Sequence, residues 1–194
     1  MPTLVLASGS PRRRELLARL GLHPLVRPAD IDETVADAES PDELVLRLAR
    51  EKCAASAEGS VGDEVVLAAD TIVTLDGHVF GKPRDRDDAA NMLTRLSGRT
   101  HQVMTGITVR RGVVEQTDLV VTAVTFRSLS DAEVAWYLDT GEPTDKAGAY
   151  GLQGAGAVLV ERIAGSDTNV IGLPLAEAVA LLRRTGLDVL SAPR

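Results

Sequence analysis

The stretch from residue 65 to residue 77 constrains this chain most. Val65-Val66-Leu67-Ala68-Ala69 is a short apolar run of the kind a buried strand shows, ending on Asp70-Thr71. Extended character continues through Ile72-Val73-Thr74-Leu75 to Asp76-Gly77. Asp-Gly is a hairpin dipeptide, because the turn that suits twisted strands needs positive φ at both central residues. The chain must therefore fold back antiparallel at that point. Two alternating stretches, residues 102–109 and 113–126, flank Arg111-Gly112 and read as a second, longer hairpin. Strands and helices otherwise interleave, but the hairpins break a strict βαβ alternation. The expected class is α/β with a mixed sheet and flanking helices, in place of a doubly wound parallel sheet.

The N-terminus reads as strand, tight turn and helix. Thr3-Leu4-Val5-Leu6-Ala7 is the strand, Ser8-Gly9-Ser10 breaks it, and Pro11 stands at the first helical position with Ser10 as N-cap. Leu16, Leu17 and Leu20 form the apolar face, and Gly21 ends the helix. An acidic loop with Asp30, Asp32, Glu33, Asp37 and Glu39 precedes a second helix, which opens at Ser40-Pro41-Asp42-Glu43 and carries the stripe Leu44, Val45, Leu48 and Ala49. Further helices are expected over residues 86–96, 130–139 and 175–182, and a glycine-rich segment, residues 148–156, leads into Val158-Leu159-Val160. Neither an internal repeat nor a low-complexity linker divides the 194 residues, so one domain over residues 1–194 is the expectation.

Charge and composition exclude some functions. With 21 Lys+Arg against 28 Asp+Glu the net charge is −7, which argues against a nucleic-acid polymer as partner. Aromatic residues make up 3%, too few for a protein that grips bases mainly by stacking them on rings. Cys53 is the only cysteine, so an intrachain disulfide is impossible and a cysteine zinc site is not expected. The apolar run of residues 4–7 is too short for a membrane span or a signal-peptide core, and a cytoplasmic location is expected. His23, His78 and His101 lie far apart without metal-ligand spacing, and surface or structural roles are expected of them.

Any dealings with anions must then rest on a local positive cluster, and Ser8-Gly9-Ser10-Pro11-Arg12-Arg13-Arg14 is one. It combines backbone N–H groups at a helix N-terminus, two hydroxyls and guanidinium forks that match phosphate oxygens. Positive side chains in a first helical turn oppose the helix dipole unless an anion compensates. A capped helix with solvated arginines is the plainer alternative. The Gly-Lys-Ser/Thr spacing of a Walker loop is absent. Asp70, after an apolar strand and before Thr71, can be a metal ligand, a base that activates water, or a turn aspartate. Asp30, Asp32 and Glu33 suit Mg²⁺, or else form a solvated loop. Lys52, Lys82 and Lys146 each stand alone among arginines, as phosphate point charges or as surface residues. Gln153, among Gly148, Gly151, Gly154 and Gly156, offers a donor and an acceptor that can read a base edge or stabilise a turn.

Taken together, ordered motifs along nearly the whole chain resemble the Maf proteins, nucleoside triphosphate pyrophosphatases related in fold to the inosine triphosphatases. The resemblance rests on Leu6-Ala7-Ser8-Gly9-Ser10-Pro11-Arg12-Arg13, Asp32-Glu33, Ala69-Asp70-Thr71, Gly81-Lys82-Pro83 and Leu96-Ser97-Gly98-Arg99-Thr100-His101. It continues through Asp145-Lys146-Ala147-Gly148-Ala149-Tyr150-Gly151-Leu152-Gln153-Gly154 and Asn169-Val170-Ile171-Gly172-Leu173-Pro174. It implies a strongly twisted mixed sheet, two lobes with a central cleft, a homodimer, and hydrolysis of a nucleoside triphosphate to monophosphate and pyrophosphate with Mg²⁺ or Mn²⁺. In that reading Asp70 is the general base or metal-linked carboxylate and Glu33 helps place metal or water. Ser8, Ser10, Arg13, Lys52 and Lys82 hold the phosphates, while Arg12, Thr71 and Gln153 match the positions where the family sorts its substrates. Their pattern resembles the dTTP and UTP branch. The alternatives it leaves are the branch acting on 7-methyl-GTP or another modified nucleotide, and a nucleotide-binding regulator of septum formation with little hydrolysis.

Overall fold

The computed structural model describes residues 2–36 and 38–190. Strand β1 (Thr3–Leu6) leads to helix α1 (Pro11–Ala18), a two-residue strand β2 (Leu25–Val26) and the long helix α2 (Pro41–Glu58). Strands β3 (Glu64–Leu75) and β4 (His78–Phe80), helix α3 (Arg86–Leu96) and strands β5 (Thr100–Arg111) and β6 (Val114–Phe126) follow. Helix α4 (Asp131–Asp139) then gives way to three short 3₁₀ segments, Glu142–Asp145, Ala147–Ala149 and Ala155–Leu159. Strand β7 (Val160–Ala164) and helices α5 (Asp167–Ile171) and α6 (Leu175–Arg184) close the order.

The seven-stranded sheet runs β2-β1-β3-β5-β6-β7, with β4 paired to β3. It is mixed, as expected: β1 pairs parallel with β2 and β3, whereas β3–β4 and β6–β7 are antiparallel. Asp76 and Gly77 take φ of 53° and 76°, and their turn sets Leu75 opposite His78. That is the turn the dipeptide announces.

By contact the chain forms two compact units. The first comprises the described residues within 1–70, 105–120 and 172–194; the second comprises 71–104 and 121–171. In the first, α2 buries Leu44, Val45, Leu48, Ala49 and Cys53, the stripe read from the sequence. A cluster of Val5, Ala7, Cys53, Val66 and Ala68 forms part of its core. Burial pushes the Cys53 thiol up to about 12, so it packs as a small apolar group. The second unit closes over Phe80, Leu93, Leu96, Phe126, Tyr137, Tyr150 and Leu159. Among these, Phe126 and Tyr150 meet edge to face with centroids 4.8 Å apart, and His101 joins the pair at 4.9 and 5.4 Å.

Local expectations hold for α2 and α4, each started by a capping box, Ser40 with Glu43 and Ser130 with Glu133. Three differ. Ser10 occupies the N-cap of α1, but its side chain makes no capping bond; its own N–H instead donates to Ser8 Oγ at 3.2 Å. The apolar triplet Val158-Leu159-Val160, after the glycine-rich segment, is split: Ala155–Leu159 winds into a 3₁₀ segment and β7 starts only at Val160. Strand β2 and helix α5 were not anticipated: elements of two and five residues are too short to carry a period.

Candidate functional site

Strand β3 runs unbroken through Asp70, so this carboxylate stands within a strand and not at its end. Its place at a rim comes from the neighbour. Strand β1 pairs with β3 only as far as Leu6 opposite Leu67, and Ala7 N–H makes a last bond to the Leu67 carbonyl at 2.8 Å. Beyond that point β3 has lost its parallel partner, and Asp70 lies three residues further along. Open α/β sheets place ligands outside the carboxyl ends of parallel strands.

Helix α2 brings Lys52 to this carboxylate. Lys52 Nζ donates to Asp70 Oδ1 at 2.5 Å and pairs with Glu33 Oε1 at 2.6 Å. Side-chain exposures of 11% for Lys52 and Asp70 against 58% for Glu33 make this a shielded pair with one solvent-facing acid. The segment carrying Glu33 is itself tied to α2. Arg47 holds both Glu39 oxygens, at 2.6 and 2.9 Å, and donates to the Thr34 carbonyl at 3.0 Å. This bidentate grip draws the Glu39 carboxyl down to about 2. Within the same segment Asp32 Oδ1 accepts from the Thr34 hydroxyl and N–H, which lowers its pKa. Asp32 thus shapes the loop. Asp30 is exposed, and Asp37 lies outside the described residues.

The anion cluster is built on the turn between β1 and α1. Arg13 Nη1 donates to Ser8 Oγ at 2.9 Å, and Arg13 Nε to the Gly172 carbonyl at 2.8 Å. Ser8 Oγ therefore accepts twice, from Arg13 and from Ser10 N–H. A serine oxygen has two lone pairs, so the hydroxyl proton is the group Ser8 can still offer an anion. Burial lowers the Arg13 pKa, against the attraction of Asp70 and Glu33 and together with repulsion from Arg12. Those four charges thus share one electrostatic neighbourhood, and a guanidinium remains charged even so. First-turn residues of α1 include no acid to balance Arg12 and Arg13.

The first unit thus assembles Ser8, Arg12, Arg13, Glu33, Lys52 and Asp70, with Ser10 contributing its N–H. Thr71, Lys82 and Gln153 belong to the second unit. Thr71 follows Asp70 in β3 and is half-buried, while Lys82, after β4, and Gln153, before the last 3₁₀ segment, are exposed. Lys146 turns away from solvent and donates to the Glu142 carbonyl at 2.6 Å and to Asp145 at 2.7 Å, a structural role. His101 is buried with Nε2 against the Tyr150 hydroxyl at 2.9 Å, also structural. Sequence reading missed Gly172 as the acceptor for Arg13, because a backbone carbonyl carries no residue signature; its φ of 124° marks the special backbone there. It also missed Arg47 and Glu39, which look like ordinary surface charges.

Two carboxylates aimed at one ammonium are hard oxygen donors. Mg²⁺ and Mn²⁺ accept such a set when substrate phosphates and water complete the shell, so these residues fit a divalent cation. Among the described residues no helix is long and apolar enough to cross a membrane.

Comparisons with known proteins show the family. A family model described as Maf-like protein matches residues 3–185. The dTTP/UTP pyrophosphatase of Anaeromyxobacter dehalogenans (strain 2CP-C) is 58% identical over 192 residues, covering 97% of this chain and 96% of its own. That of Myxococcus xanthus (strain DK1622) is 56% identical, covering 96% and 94%. The dTTP/UTP pyrophosphatase of Escherichia coli O157:H7 is 51% identical, covering 94% and 92%. A solved nucleoside-triphosphatase / dITP/XTP pyrophosphatase from Mycobacterium abscessus overlays at a TM-score of 0.44 with 14% identity, covering 98% of this chain and 100% of that one. It is too distant to place any residue.

Proposed function

The chain belongs to the Maf-like proteins, and from that premise we propose that it hydrolyses nucleoside triphosphates, dTTP and UTP first among them, to the monophosphate and pyrophosphate. One observation carries the reading: a shielded carboxylate, Asp70, stands beside Lys52 and within the field of the half-buried Arg13. A base for water and cations for phosphate are what attack on a phosphoric anhydride needs. The single family model spanning residues 3–185 supports treating both units as one domain.

In this reading Asp70 takes the proton of a water that attacks the α-phosphorus, and the bond to the β-phosphate oxygen breaks with release of pyrophosphate. Arg13, the Ser8 hydroxyl proton and the first N–H groups of α1 face the nonbridging oxygens, where charge builds. Ser10 caps that turn through its backbone. Lys52, between Asp70 and Glu33, orients the base and is a second cation for phosphate, with Lys82 assigned as a third. A divalent cation held by Asp70 and Glu33 would neutralise phosphate charge and polarise the scissile linkage. Arg12, Thr71 and Gln153 are assigned to base and sugar selection. A single bound triphosphate suits an acidic protein, since its charge is met locally.

The test is release of pyrophosphate from dTTP and UTP with Mg²⁺ or Mn²⁺, against a panel that includes 7-methyl-GTP. Preferential turnover of dTTP and UTP is expected. Release of orthophosphate in place of pyrophosphate, or preference for 7-methyl-GTP, overturns the proposal.

A further inference from the structure

One carboxylate in the second unit organises the segment that carries Gln153. Glu142 follows Gly141, whose φ of 71° turns the chain out of α4. Its Oε2 accepts the Ala155 N–H at 2.7 Å. Its Oε1 accepts the Tyr137 hydroxyl at 2.9 Å and the Gly156 N–H at 3.3 Å. The Tyr137 oxygen in turn accepts the Gly151 N–H at 3.1 Å. Residues 151 and 155–156, either side of Gln153, are therefore tied to the same carboxylate, directly or through one phenol.

The glycines confirm how tightly the segment wraps. A Cβ on Gly154 would stand 2.7 Å from Glu142 Cδ, and one on Gly156 would stand 2.7 Å from the Tyr137 hydroxyl. On Gly151 it would meet Lys146 Cε at 2.6 Å, and Lys146 is held by the Glu142 carbonyl. At Gly156 a Cβ also meets the Gly151 backbone and has no room, while at Gly151 and Gly154 it would push the Lys146 and Glu142 side chains out of these contacts. Gln153, by contrast, is exposed. Burial, with the neighbouring Glu142 charge adding to it, raises the Tyr137 phenol, which stays protonated and able to donate.

We propose that Glu142 is a positioning residue for substrate selection: its carboxylate fixes the 151–156 segment so that Gln153 meets the nucleobase at a defined angle. The proposal rests on the reading of Gln153 as a base-reading amide. Glu142 touches neither phosphate nor water in it, and acts only through the segment.

The experiment compares wild type with Glu142→Gln, Tyr137→Phe and Gln153→Ala by amide hydrogen exchange and by kinetics on dTTP, UTP, dCTP and dATP. Glu142→Gln keeps size but places an amide where a carboxylate accepts three donors. Exchange at Gly151, Ala155 and Gly156 is expected to rise tenfold or more. KM for dTTP and UTP is expected to rise about tenfold with kcat within about twofold, and the preference over dATP to shrink. Tyr137→Phe, which removes only the link to Gly151, should move the same quantities less, and stands in if the first variant fails to fold. Adding Glu142→Gln to Gln153→Ala should cost no further selectivity. Unchanged exchange, or a fall in kcat at constant KM, overturns the role of Glu142. A Gln153→Ala enzyme with the wild-type order of bases overturns the reading of Gln153, and the proposal falls with it.

Discussion

Asp70 is legible because a carboxylate that closes an apolar run is out of place: burial in a strand costs free energy unless a partner or a ligand repays it. Lys52 is that partner, 2.5 Å away, and no spacing in the sequence announces the contact, which joins a helix to a strand. Replacing Asp70 by Asn keeps an acceptor for Lys52 but removes the base. Asp70→Asn is expected to fold, to retain binding of a nonhydrolysable dTTP analogue within about tenfold, and to lose roughly 10²-fold or more in kcat. Wild-type turnover by this variant removes Asp70 from the mechanism. Arg13 makes a second residue-scale case. Its Nε and Nη1 reach Gly172 and Ser8 at once, which a lysine ammonium at the end of a flexible stem does not reproduce. Arg13→Lys is expected to lower kcat/KM for dTTP by roughly ten- to a hundredfold, measured by pyrophosphate release. An unchanged value means that charge alone suffices there. The arginine cluster was readable as an anion site, whereas the Gly172 carbonyl was not, and neither was Glu142, an acid after a helix that looks like surface.

At the scale of elements, what could be read was whatever carries a local signature. Ser40-Pro41-Asp42-Glu43 opened α2, the Asp-Gly pair turned β3 into β4, and the apolar stripe of α2 matched its buried face. Strand β2 escaped because two residues show no alternation. The course of β3 past Asp70 was half legible: its length followed from the apolar run, but where β1 stops depends on Ala7 and Leu67, a tertiary fact. Gly106 shows the same limit. It sits in β5 with no turn to justify it, and its reason is α2. A Cβ there would lie 2.9 Å from the Val45 carbonyl carbon and 3.2 Å from Leu46 Cα. Both contacts are backbone, so no side chain can swing aside. Gly106→Ala is expected to destabilise the fold by about 1–3 kcal/mol through overpacking. A urea-denaturation midpoint equal to wild type would show that β5 can move away from α2 freely.

For the whole molecule, the net charge of −7 describes a surface, and the interior sets how the protein responds to acid. His101 is the group to follow. Its ring is buried between Phe126 and Tyr150, and burial lowers its pKa to about 4 from 6.5. Its Nδ1 is buried and has no hydrogen-bond partner among the described residues, so a proton added there would be an unpaired buried charge. Between pH 6.5 and 4 the unfolded chain binds a proton at this histidine and the native chain does not. Stability therefore falls as pH falls through that window, by on the order of 3 kcal/mol in all, and the loss is complete below pH 4. Carboxylates contribute lower down. Glu39, gripped by Arg47, and Glu133, bonded to the Ser130 backbone and Arg127, are each lowered to about 2 from 4.5. Their stabilisation is present above pH 4.5 and is lost as pH falls towards 2. The two windows barely overlap, so a substitution separates them. His101→Gln cannot titrate but can still face the Tyr150 hydroxyl. Unfolding free energies from urea melts at pH 7, 6, 5 and 4.5 should decline steadily for wild type and stay nearly level for His101→Gln. Equal slopes for the two proteins would mean that His101 takes up its proton in the native state without cost, and that the acid response begins with the surface carboxylates.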